Sequence, residues 1–276
     1  MLSLIVLTYR PGGIDQLAHF LQASLSKDYE LVVVDDYPGR VERGLARKHL
    51  EACGIPVGWY GGSKHKFYYG TKGGLCNATN TALLHARGDY YVFLSDYTTL
   101  PKNWIAQWNM VRKMYDEKRT LVAGSAIMYD SPKPERPDDV VTWSKPVAII
   151  PKWPWVASEF ETFYYGAHPA FFDKINGLDE RADHCHCWPV SSTVSQAKQL
   201  GYSLIVLPEV CCHMIDHRVW DNPDEPAPWG PLCGMWRIDH SQSIEKEPKW
   251  TVPSPNPWQL STERAKIQTA NNPSPR

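Results

Sequence analysis

The chain holds 276 residues, 43% of them hydrophobic, with a formal net charge of −1 and a pI near 6.8. That length suits one large domain or two small ones around an ordinary core, and the balanced charge exerts no global pull toward nucleic acid or an anionic membrane surface. No apolar stretch approaches the ~20 residues of a membrane-spanning helix, and an odd count of seven cysteines, in a chain whose first residues read as a strand rather than a secretion signal, gives the expectation of a cytoplasmic protein with reduced thiols.

Strand and helix signals alternate over residues 1–128. Leu2–Leu7 is an apolar run, after which Ile14, Leu17, Ala18, Leu21 and Leu25 recur at helical spacing. Leu31–Val34 reads as a second strand, Val41–Cys53 as a helix stopped by Gly54, and Ile55–Tyr60 as a short third strand. Gly61–Gly74 holds five glycines and four basic side chains, counting His65 when protonated. It reads as a mobile loop beside a diphosphate or as a plain surface connection. Leu75–Ala86 is a helix ended by Gly88, Tyr90–Leu94 a strand, Trp104–Tyr115 a helix after Pro101, and Thr120–Met128 a strand. This βαβα order predicts an α/β fold with a mostly parallel sheet and helices on both faces.

After Ser131 the pattern loosens. A Pro-rich loop (Ser131–Asp139) precedes a strand at Val140–Ile150; Tyr164–Ile175 leads into Asn176–Asp183, a helix follows at Ser191–Leu200, and a strand at Ser203–Leu207. Most of the chain's twelve tryptophans lie in this half, as do most of its 23 prolines. Indole faces pack a loop-rich lobe and also stack on sugars and bases.

Three strands end abruptly in polar residues. LSLIVLTYR delivers Thr8, Tyr9 and Arg10, ELVVVDDYPGR delivers Asp35 and Asp36, and GDYYVFLSDYTTLP delivers Asp96. The carboxyl edge of a parallel sheet is where ligands bind, and an aspartate there accepts hydrogen bonds from ribose hydroxyls or base N–H groups. The same aspartate can instead cap a helix. Such tips suit a nucleotide bearing a diphosphate and a hard cation held by oxygen. A dinucleotide oxidoreductase begins similarly but needs G-x-G-x-x-G at the first turn, where this chain has YRPGGID.

The order of Thr8–Tyr9–Arg10, then VVVDD, then a helix with Asn80, Ala82, Ala86 and Gly88, then FLSD before Pro101 resembles the family-two glycosyltransferases of the GT-A fold. NGLDER (Asn176–Arg181) resembles their G-G-F-D-E segment, and the resemblance covers about residues 1–210. It implies a Rossmann-like GT-A domain with a nucleotide-sugar-binding half at 1–128 and a Trp/Pro-rich acceptor-side half at 129–260. The polar tail at 261–276 is expected to be disordered. It further implies inverting transfer of a sugar from a nucleotide-diphospho-sugar, with Mn²⁺ or Mg²⁺. Donor contacts fall on Thr8, Tyr9, Arg10, Asp35, Asp36, Lys72, Asn80 and Asp96. The metal falls on Asp96 and, after the last strand, His213, with His217 as alternative. A carboxylate on the acceptor side acts as base on the attacking hydroxyl, Asp183 first, with Asp179 and Glu180 as competitors.

The chain departs from the family pattern in three places. Ser95 and Tyr97 flank Asp96 where D-x-D aspartates stand, Thr79 replaces an arginine, and CWPVSSTVSQA (Cys187–Ala197) lacks the usual Glu–Asp. DHCHCW (Asp183–Trp188) and CCHMIDH (Cys211–His217) offer a competing zinc reading on Cys185, Cys187, Cys211 and Cys212 with histidines, though at spacings unlike known modules. The acceptor classes are a glycan, a lipid-linked glycan, or a hydroxymethyl pyrimidine in DNA. The last would need a local basic face from Lys64, Lys66, Lys72, Arg112, Lys113 and Arg119. The competing class is a GT-A scaffold that binds nucleotide or glycan and transfers nothing.

Overall fold

β1 (Leu2–Thr8) and β2 (Tyr29–Asp35) pair in parallel, Leu2 opposite Tyr29 and Thr8 opposite Asp35. Every residue of both strands is buried, which is why they read as continuous apolar runs: a parallel sheet is covered on both faces. The computed structural model describes residues 1–8, 14–35, 44–58, 64–70, 74–96, 98–115, 119–129, 146–150, 164–184, 188–215 and 249–271.

The other strands are β3 (Val57–Gly58), β4 (His65–Tyr69), β5 (Tyr90–Ser95), β6 (Thr98–Thr99), β7 (Thr120–Tyr129), β8 (Pro146–Ile150), β9 (Tyr165–Ala167) and β10 (Ser203–Ile215). Their order across the sheet is β3-β4-β2-β1-β5-β9-β7-β10-β6, with β8 on β7. β9 runs antiparallel between β5 and β7, and β6 runs antiparallel to β10. The helices are α1 (Asp15–Ala23), α2 (Leu45–Ala52), α3 (Leu75–His85), α4 (Trp104–Met114), α5 (Pro169–Ile175), α6 (Trp188–Gln199) and α7 (Leu260–Asn271).

Alternation along the strands sorts the core into two layers. Leu2, Leu4, Val6, Leu31, Val33, Val92 and Leu94 pack under α1, α2 and α4, including Leu17, Leu21, Leu50, Trp104 and Trp108. Ile5, Leu7, Val32, Val34, Tyr91 and Phe93 face the opposite way, onto Leu75, Ala82, Leu83, Phe171, Phe172 and Leu260 of α3, α5 and α7. Helices therefore cover both faces of a mostly parallel sheet, as predicted.

Three expectations fail. Gly61–Gly74 is not a loop throughout, because β4 forms inside it and pairs with β2 from Val32↔Lys66 to Asp35↔Tyr69. On that strand Lys66 is 1% exposed and donates to Glu30, itself 1% exposed. A basic residue that reads as solvated is thus an internal counter-charge. Second, residues 261–271 of the tail expected to be disordered are helical, in a helix that begins at Leu260. Leu260 is buried, and Arg264 donates from Nε to the Leu83 carbonyl (3.1 Å) and from Nη1 to Asp173 (2.7 Å), so tertiary bonds order a polar segment. Third, the last strand runs on past Leu207. Its register with β7 shifts between Leu207 and Cys211, around Pro208, which has no N–H to give the ladder. The strand then resumes and carries His213 to the edge.

Candidate active site

β1, β2 and β5 end at one edge. β2 lies on one side of β1 and β5 on the other, so the strand order reverses there, at the kind of crevice where open α/β sheets bind ligands. Thr8 sits opposite Asp35, and Leu7 opposite Ser95, which sets Asp96 beside Thr8. Thr8 Oγ1 is 3.4 Å from Asp96 Oδ2. Thr8, Asp35 and Asp96 are 2%, 2% and 1% exposed. Asp35 Oδ2 accepts from the Gly44 amide at 3.4 Å, where Gly44 precedes α2 with φ of 92°.

β6 follows Asp96 almost at once and pairs with β10, Thr99 opposite His213. The sheet thus brings the backbone of His213 to the edge that carries Asp96. The side chain of His213 lies outside the described residues. So do Tyr9, Arg10, Asp36 and Lys72, and in the Cys/His segments Cys185, His186, Cys187 and His217. Cys212 is packed in the core.

The same edge receives the start of α3. β4 ends at Tyr69, opposite Asp35, and the Gly70 amide donates to the Asp35 carbonyl at 2.8 Å; α3 then runs back toward Gly88. A helix start leaves amides without intrahelical partners. Here they are met from 107 and 106 residues away: Asp183 Oδ1 accepts from the Cys76 amide at 2.6 Å and Oδ2 from the Asn77 amide at 2.9 Å. The carboxylate fits because residue 74 is glycine. A Cβ there would lie 2.4 Å from Asp183 Cγ, and φ is +151°. Burial pushes the Asp183 carboxyl up to about 7, against the pull of the two amides, and Glu180 adds to the rise.

Asn80 does not reach toward a donor as expected. Its Nδ2 donates to the Leu178 carbonyl (2.9 Å) and to Glu180 Oε1 (3.2 Å), while Oδ1 accepts from the Leu178 amide (2.8 Å). Both polar atoms clamp the Leu178–Glu180 turn onto α3. Asn77 Nδ2 donates to the same Glu180 oxygen at 3.2 Å. Asp179 is likewise corrected as a base candidate. It is 0% exposed and held by Arg181, whose Nε and Nη2 donate at 3.0 and 2.6 Å; it also takes the Arg181 amide at 3.0 Å. Its work is to start the 3₁₀ turn Glu180–His184. Glu180 and Asp183 therefore stand together at the α3 start, and Asp179 stands behind them.

Two of the six cations considered for a local basic face are paired within the fold. Lys66 is buried on Glu30, and Arg112, 15% exposed, is held between Asp89 and Asp28.

Residues 3–165 match the profile of glycosyl transferase family 2. The chain belongs to that family. Solved structures agree on the fold of this family-2 chain. The mannosyltransferase PcManGT from Pyrobaculum calidifontis, in complex with GDP-Man and Mn²⁺, aligns with a TM-score of 0.52 and 20% identity over 77% of this chain and 56% of that one. S. aureus TarS residues 1–349 align at 0.53 and 14% identity, covering 79% and 61%. The same TarS segment in complex with UDP-GlcNAc aligns at 0.51 and 13%, covering 78% and 58%. The chain thus spans somewhat over half the length of these proteins. No curated protein matches its sequence. Among the described residues no helix is long and apolar enough to cross a membrane.

Proposed function

We propose that this family-2 chain is an inverting, metal-dependent glycosyltransferase that moves a sugar from a nucleotide-diphospho-sugar to an acceptor hydroxyl. The observation that carries the reading is the meeting of Thr8, Asp35 and Asp96 at the reversal point of the sheet, in a chain of this family. Asp35 is suited to ribose or base contact from its strand tip, with Asp36, Tyr9, Arg10 and Lys72 as further donor contacts from the adjoining segments. Asp96 offers a hard oxygen ligand, and the register that sets His213 beside Thr99 supports those two as the holders of Mn²⁺ or Mg²⁺. When bound, such an ion neutralises charge on the departing diphosphate.

Asp183 is the proposed base. Two amides fix its position, each oxygen retains a lone pair, and a carboxyl near 7 is suited to taking a proton from a hydroxyl at neutral pH. Glu180, oriented by Asn77 and Asn80, is the competitor. The acceptor we favour is a glycan or lipid-linked glycan over modified DNA, because burial of Lys66 and pairing of Arg112 remove two cations from the face DNA would need.

The test is hydrolysis of nucleotide-sugars in Mn²⁺ by the wild type and by Asp96→Ala, with binding of the nucleoside diphosphates followed by thermal shift. A metal-dependent shift with one diphosphate, and hydrolysis lost in the variant, supports transfer. No shift and no hydrolysis with any donor identifies the inactive scaffold instead.

A further inference from the structure

α1 and α2 lie side by side over the sheet, and between them meet three side chains that the transferase reading does not use. His19 on α1, His49 on α2 and Cys53 at the end of α2 each present one ligand atom, all within 4.8 Å of one another. Cys53 Sγ is 3.8 Å from His19 Nδ1. The two imidazoles meet edge to face with centroids 5.4 Å apart. His49 and Cys53 are four apart along the helix, which puts them on one face. His49 Nδ1 faces Asp15 Oδ1 at 3.5 Å, while its Nε2 is buried without a hydrogen-bond partner among the described residues.

An imidazole nitrogen withdrawn from water and left unmatched is costly. A cation would complete it. Zinc bonds of about 2.3 Å to sulfur and about 2.0–2.1 Å to nitrogen set the two atoms about 3.5 Å apart at a tetrahedral angle, close to the separation seen between Cys53 and His19. A carboxylate behind a ligating imidazole is the arrangement that fixes its tautomer and orientation, and Asp15 stands there.

We infer that His19 Nδ1, His49 Nε2 and Cys53 Sγ form a zinc site, with Asp15 orienting His49 and water at the fourth position. One thiolate and two imidazoles select a borderline-soft ion, unlike the thiolate-free pair of Asp96 and His213. The two metal sites are therefore chemically distinct, and this one stands whether or not the chain transfers sugar. The ion would tie together the helices that follow β1 and β2, the strands that carry Thr8 and Asp35.

The test is titration of the metal-stripped full chain with Co²⁺, followed by absorption. The expected result is a thiolate-to-cobalt charge-transfer band with intense tetrahedral visible bands, saturating at about one equivalent and bleached by Zn²⁺. The bands vanish in Cys53→Ser, and affinity falls by about 10–100-fold in Asp15→Asn. His19 is exposed, so His19→Ala removes a ligand without disturbing the core and gives a second reading should Cys53→Ser fail to fold. No band in the wild type, or bands and affinity unchanged in Cys53→Ser or His19→Ala, overturns the site.

Discussion

The two edges of the sheet both bury carboxylates and treat them oppositely. At the amino edge Glu30 is closed in: Lys66 donates to one oxygen, and the Ser3 hydroxyl (2.5 Å) and the amides of Arg87 and Gly88 converge on the other. At the carboxyl edge the contacts that reach Asp35 and Asp96 from Gly44 and Thr8 are long, 3.4 Å each. One edge neutralises its charge from within. The other sets Asp35 and Asp96 where strand order reverses, the position at which open α/β sheets bind ligands. The difference teaches that burial of a carboxylate is uninformative until its partners are known.

The contrast can be broken from either side. The largest effect is expected at the closed edge. Lys66→Ala strands Glu30 and should cost about 3–5 kcal/mol, whereas Lys66→Met with Glu30→Gln should recover much of it. Urea melts measure both, and a Lys66→Ala protein as stable as wild type would show the pair to be dispensable. At the open edge, Asp96→Ala should lower transfer or donor hydrolysis about 100-fold or more. A large stability loss without a catalytic one would reassign Asp96 to structure.

Smaller effects test the α3 start, where the edge meets Asp183. Gly74→Ala drives a methyl into the Asp183 carboxylate and should destabilise by about 1–3 kcal/mol; a neutral outcome would mean that the turn relaxes. The pH dependence has a definite sign. The Asp183 carboxyl is raised in the fold from 3.8 to about 7, so between those values the folded state holds the extra proton and its contribution to stability declines as pH rises through the window. Activity should move the other way, rising through about 7 as the base deprotonates. Asp183→Asn should flatten both profiles. A rate profile that keeps its rise in Asp183→Asn and loses it in Glu180→Gln would transfer the role to Glu180.

Much of the open edge was legible in one dimension. Apolar runs that stop at Thr8, Asp35 and Asp96 require no tertiary knowledge, because strands buried on both faces are built mainly of apolar side chains. The closed edge was not, since Lys66 in a glycine-rich, basic segment looks solvated until β4 docks and sets it against Glu30. Asn80 matched the family pattern at the right place, yet its amide holds Leu178, because a motif position gives no direction to a side chain. The His19–His49–Cys53 cluster left one faint sequence signal, the four-residue spacing of His49 and Cys53. His19 enters from a different helix.

The sequence by itself determined the α/β class, the family, and the residues at the strand tips, because periodicity and strand ends are local properties of the chain. Tertiary structure decided which carboxylates are neutralised, which one caps α3 from 107 residues away, and that β10 brings His213 alongside Thr99. Those depend on partners distant in sequence, whose meeting is fixed by sheet order and register.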